Sequence, residues 1–175
     1  MDKPKRILLY GFGPYRQFND NISARIIKSL PARSGLKRVI FPVRFQRSQF
    51  IDALHRHVPQ LVLGLGQSAR KRIEIELQAK NLRRARKSGK SRPIHANGPK
   101  TWKATLEIKS GRWISRSMNA GDYVCNYSMF VLLDEIGRRQ LKIPFGFIHI
   151  PHDYDQFKAR RVIQRVLRQC QRLGR

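Results

Sequence analysis

Gln60-Leu-Val-Leu-Gly-Leu-Gly66 is the stretch that decides the fold. It is apolar nearly throughout, and a strand with apolar side chains in both directions is covered on both faces, as in a parallel sheet. Working outward, Arg6-Ile-Leu-Leu-Tyr10 reads as a second buried strand ending at Gly11, and Phe145-Gly-Phe-Ile-His-Ile150 as the last one, ended by Pro151. Helical spacing falls between the strands. Residues 21–30 put Ile22, Ile26, Ile27 and Leu30 on one face, with Asn21 to cap the start and Pro31 to stop the end. Residues 48–58 read as a second helix before Pro59, and residues 122–138 as a third with Asp122 near its start. Residues 156–173 form a basic helix whose apolar stripe is Phe157, Val162, Ile163, Val166, Leu167 and Cys170. Residues 37–45 (interrupted by Pro42), the alternating Ile73-Glu-Ile-Glu-Leu77 and residues 112–118 add strands. Strands alternating with helices predict an α/β fold, a three-layer sandwich with a mostly parallel twisted sheet and helices on both faces.

The length of 175 residues fits one compact domain over residues 1–175, and 41% hydrophobic residues are enough for a core. Charge is the unusual feature. Lys and Arg number 37 against 11 Asp and Glu, a formal net charge of +26. Such an excess predicts salt-sensitive, non-specific attraction to polyanions. Two isolated thiols, Cys125 and Cys170, make no disulfide framework. The apolar run from Ile7 to Tyr10 is too short for a signal-peptide core or a membrane span, so we expect a reducing, cytoplasmic location and no membrane association. No metal or other cofactor is expected. His55 and His57, two apart on a helix, point to different faces, and no closely spaced cysteine pair completes a zinc site.

Three residues carry potential chemistry. Cys125 lies in Ala-Gly-Asp-Tyr-Val-Cys-Asn-Tyr, at the start of the third helix, where the helix dipole favours an anion. Read alone, it is better explained as a buried structural thiol. His149 sits at the carboxyl end of the last strand, the end at which open α/β sheets bind ligands. Strand alternation at residues 73–77 is expected to turn one of Glu74 and Glu76 inward, and a buried carboxylate needs a partner such as a histidine. A thiol needs a base, and the base needs an orienting group, so the three together mean more than each alone.

Ile73-x-x-Glu76-x-x-Ala79-x-Asn81, Ala120-Gly121-x-x-x-Cys125-Asn126 and Gly146-Phe147-x-His149-x-Pro151 resemble, in order and spacing, the glutamate, cysteine and histidine motifs of the pyroglutamyl peptidase I family. The resemblance extends through Gly11-Phe12-Gly13-Pro14-Tyr15, Asn21-x-Ser23, Gly66-Gln67 and Arg86, and covers essentially the whole chain up to Pro151. It implies a cysteine peptidase acting on peptides with an amino-terminal pyroglutamate, with Cys125 as nucleophile, His149 as base and Glu76 orienting the histidine. It further implies that Phe12 and Tyr15 sandwich the lactam ring, that Gln67 bonds near it and that Arg86 lies close to the scissile carbonyl. The backbone N–H groups around Val124 and Cys125 are candidates for the oxyanion hole. Pyroglutamate is neutral and flat, and a narrow aromatic slot with few polar contacts suits it.

The chain also departs from the family pattern. Arg16-Gln17 replaces Gly-Gly, Tyr15 stands where Phe is usual, Leu82-Arg83-Arg84 replaces an acidic stretch, and the connection after His149 is short. These differences leave substrate range and oligomeric state, monomer or homo-oligomer, open. The rival reading is a peptidase-like fold that binds nucleic acid or another polyanion through the basic loop at residues 80–92 and the basic terminal helix. It gives no reason for the three motif residues and lacks interleaved aromatics for stacking bases. A dinucleotide site at Gly11-x-Gly13 is disfavoured by Pro14 and by Arg16 in place of the third glycine.

Overall fold

The structure is a computed structural model that describes residues 4–15, 18–84 and 89–172. The elements run β1 (Ile7–Phe12), α1 (Ile22–Ser29), β2 (Leu36–Phe41), α2 (Arg47–His57), β3 (Leu61–Ser68), β4 (Ile73–Glu76), β5 (Gln78–Lys80), β6 (Thr101–Lys103), β7 (Ile114–Ser117), α3 (Val124–Arg138), β8 (Phe145–Pro151) and α4 (Gln156–Arg172). Six strands form one sheet in the order β2-β1-β3-β8-β4-β7, and β5 and β6 form a separate hairpin. Within the large sheet only the β4–β8 pairing is antiparallel.

Period-two alternation divides the core. Ile7, Leu9, Leu61, Leu63 and Leu65 point to the side covered by α1 and α4, whereas Leu8, Tyr10, Val62, Phe145 and Phe147 point to the side covered by α2 and α3. These central strands are apolar in both directions because each face meets a helical layer. Among the described residues, no helix is long and apolar enough to cross a membrane.

Local chemistry sets the helix ends. Asn21 accepts a hydrogen bond from the Ser23 backbone N–H at 3.0 Å, which makes it the N-cap of α1. The helix stops before Pro31, with Leu30 in an extended conformation. The third helix starts at Val124, two residues later than Asp122, so Cys125 is its second residue. The strand expected over residues 37–45 ends at Phe41, before Pro42, because proline has no N–H to give the ladder. The hairpin of β5 and β6 was not anticipated. Its three-residue strands are too short to show a period, and most of the basic stretch lies between them.

Candidate active site

The carboxyl ends of β3 and β8 lie side by side, with Gly66 opposite His149. A methyl group on Gly66 would come within 2.8 Å of the Cys125 sulfur and 2.9 Å of His149 Cδ2. Thiol and imidazole therefore fill one small space that exists because position 66 carries no side chain. The amino end of α3 delivers the sulfur to this point, and β8 delivers the ring.

On its far side the His149 ring meets Glu76, with Nδ1 to Oε1 at 2.6 Å. Both are buried, His149 at 5% and Glu76 at 0% exposure. The strand register alone does not select this partner. Glu74 is the residue directly opposite His149, and Glu76 reaches it diagonally. Nor does alternation separate the two carboxylates, since residues two apart in a strand share a face. That corrects the expectation that only one would turn inward. Glu74 and Glu76 lie on one side, and Arg70 Nη1 pairs with both, at 3.0 Å to Glu76 Oε1. They differ in depth. Arg70 also reaches Ser117 Oγ at 2.9 Å, tying β4 to β7 beneath the site.

The electrostatics follow from burial and pairing. Burial works to discharge the imidazole, but the neighbouring Cys125 sulfur and the bonded Glu76 carboxylate outweigh it and raise His149 to about 9. Burial also works against the Glu76 anion. The bonded His149, with Ser117 and Arg70 alongside, overcomes it and holds the carboxyl below its ordinary value. The other thiol, Cys170, lies buried at the foot of α4, and burial raises it to about 11.

Beside the sulfur is a cavity of about 200 Å³. That is below the roughly 300–1,000 Å³ of pockets for drug-sized ligands. Its lining includes Phe12, Tyr15, Gln67 and Cys125, four residues named from the sequence. It also includes Phe18, Tyr123 and His152, which sequence reasoning missed. Tyr15 and Tyr123 pack with ring centres 5.1 Å apart and planes tilted by 44°. Gln67 Oε1 accepts from the Ile22 N–H at 3.0 Å, so its oxygen is committed to the first turn of α1. Arg86 lies outside the described residues, as does Arg16-Gln17.

Two motif asparagines prove to be braces. Asn126, fully buried after the candidate nucleophile, donates to the Lys80 and Leu82 carbonyls at 2.9 and 2.8 Å and accepts from the Lys80 N–H at 2.8 Å. Asn81 donates to the His95 carbonyl and accepts from the Ile94 and His95 N–H groups. Among the residues that replace the family's acidic stretch, Arg84 pairs with Asp122 at 2.7 Å, next to the start of α3, and Arg83 lies over the Phe45 ring.

Fold and site together define a class: an α/β protein with the thiol–imidazole–carboxylate arrangement of cysteine hydrolases. A sequence model described as pyroglutamyl peptidase matches residues 5–160. The chain is 32% identical over 173 residues to a pyrrolidone-carboxylate peptidase of Bacillus velezensis, covering 87% of this chain and 80% of that one. The crystal structure of pyroglutamyl peptidase I from Bacillus amyloliquefaciens matches with a TM-score of 0.85 and 26% identity, covering 93% of each chain. Pyrrolidone carboxyl peptidase from Thermus thermophilus matches with a TM-score of 0.81 and 25% identity, covering 92% of this chain and 98% of that one. The chain belongs to the pyroglutamyl peptidase family.

Proposed function

We propose that this chain hydrolyses the bond after an amino-terminal pyroglutamate, with Cys125 as nucleophile, His149 as general base and acid, and Glu76 as the group that orients His149. The observation that carries the reading is the His149 ring held between the Cys125 sulfur and the Glu76 carboxylate, at the edge of an aromatic-lined cavity.

The Nδ1 bond to Glu76 leaves Nε2 for the thiol proton. The thiolate attacks the carbonyl carbon of pyroglutamate, and negative charge moves to the carbonyl oxygen. Tyr123, the N-cap of α3, makes no side-chain capping bond, which favours the Val124 and Cys125 N–H groups as donors to that oxygen. As the carbon–nitrogen bond breaks, the imidazolium gives its proton to the leaving amine, and a thioester remains on Cys125. Water, deprotonated by the same imidazole, then attacks the thioester and releases pyroglutamate and the free thiol. Phe12 and Tyr15 would enclose the lactam ring. Gln67 Nε2, which makes no hydrogen bond among the described residues, would donate to the lactam carbonyl. Arg86 is assigned by resemblance to a place near the scissile carbonyl.

The test is release of a fluorophore from a pyroglutamyl-coumarinylamide. Cys125→Ala should abolish turnover, and His149→Ala should lower it by about 100- to 10,000-fold, the span of general acid–base assistance. Both variants should keep the wild-type circular dichroism. Wild-type rates in folded Cys125→Ala protein would refute the assignment.

A further inference from the structure

A second, larger concavity begins where the small cavity ends. It has a volume of about 1,280 Å³, and Ala69 and His152 line both. Nine of its lining residues are Lys or Arg, against two Asp. One wall is α4. Lys158, Arg161, Arg165, Arg168 and Arg172 recur every three or four residues, so they form a single cationic stripe, and all five are exposed. At 1.5 Å rise per residue the stripe runs for about 21 Å, the reach of roughly six residues of extended chain. The adjoining segment, tied to α4 by the Lys109 N–H donating to Gln169 Oε1 at 3.3 Å, carries Lys109 and Arg112 and the exposed Trp113. The described ion pairs include none of these cations, and Arg112 lies over the Trp113 ring. A stripe of like charges three and four apart destabilises its own helix. An anionic ligand along it would relieve that repulsion.

We propose that this groove receives the part of the substrate beyond the scissile bond and selects peptides that are acidic there. The inference rests on the pyroglutamyl-peptidase reading of the site. With a lactam held in the small cavity at Cys125, the shared lining of Ala69 and His152 gives the rest of the chain a continuous path along α4. Peptide carboxylates then meet Arg161, Arg165 and Arg168 in sequence, while apolar side chains can lie on Trp113.

The experiment compares pyroglutamyl-Ala-Asp-Glu-Asp-Glu with pyroglutamyl-Ala-Asn-Gln-Asn-Gln, using the coumarinylamide, too short to reach the groove, as internal reference. At low salt the acidic peptide should have a KM about tenfold lower with kcat unchanged, the sum of several exposed ion pairs. The advantage should vanish in high salt. It should also vanish in the triple variant R161Q/R165Q/R168Q, which keeps reference turnover. Equal KM values for the two peptides, with the reference substrate turned over, overturn the groove proposal and leave the proposed function standing. Should no pyroglutamyl substrate turn over, the proposed function fails, and anisotropy of a fluorescein-labelled acidic peptide on Cys125→Ala protein decides the groove. Binding lost in the triple variant supports it, and absence of binding overturns it. A labelled oligoribonucleotide that binds through the same three arginines, when the acidic peptide does not, assigns the groove to nucleic acid instead.

Discussion

His149 shows how a buried charge depends on what flanks it. Its proton is held to about pH 9 against an ordinary value of 6.5 because a sulfur and a carboxylate face the ring. A group raised on folding contributes stability that is complete below its unfolded value and lost as pH rises through its folded value. We therefore expect urea stability to fall between about pH 6.5 and pH 9, and Cys125→Ala, which removes the charge partner, to flatten that decline. Glu76, held below its ordinary value, acts in the opposite direction, and its contribution is lost as pH falls through the depressed value. Urea titrations of wild type and variant across pH 6–10 measure the effect. An identical slope in both proteins would break the link between sulfur and ring. The catalytic prediction for Cys125 and His149 belongs to the same scale, since one atom of each side chain carries it.

At the scale of elements, the site depends on where strands and helices end. The amino end of α3 places Cys125, and the adjoining ends of β3 and β8 place Gly66 and His149. The diagonal reach from β4 places Glu76. Asn126 links α3 to β5 with three hydrogen bonds to backbone groups at Lys80 and Leu82. Asn126→Leu keeps similar bulk but removes three hydrogen bonds, and the Lys80 carbonyl keeps only its bond from the Leu82 N–H. The expected cost is about 1–3 kcal/mol in all. In chemical denaturation the variant should be less stable, while its Cys125 side chain remains in place. Stability equal to wild type would show that water or a shifted backbone replaces the amide. Sequence reading recovered all four helices and the strands of the large sheet, the helices from their apolar period and the central strands from short runs that are apolar nearly throughout. The hairpin of β5 and β6 escaped it. So did the exact start of α3, because Tyr123 makes no side-chain capping bond that sequence could announce.

For the whole molecule, a net charge of +26 opposes compaction. Screening should relieve it, so the melting temperature should rise by several degrees between about 20 mM and 500 mM NaCl, by calorimetry, as the Debye length shrinks. A constant or falling value would mean that local pairing already balances the charge. The sequence by itself determined the α/β class and the core stripes, apart from Phe157, which is exposed, and its motifs named Cys125, His149 and Glu76 as candidates by resemblance, because periodicity and motif spacing are properties of the chain. It named Phe12, Tyr15 and Gln67 as neighbours, and the cavity gathers them beside Cys125. Only the tertiary structure decided the rest. It seated Glu76 deeper than Glu74 against the His149 ring, added Tyr123 and Phe18 to the cavity, made braces of Asn81 and Asn126, and aligned five cations of α4 along a groove that continues from the candidate nucleophile. The reason is physical: which residues meet across a sheet, and how deeply each is desolvated, depends on contacts between segments far apart in the chain, and no local pattern encodes those.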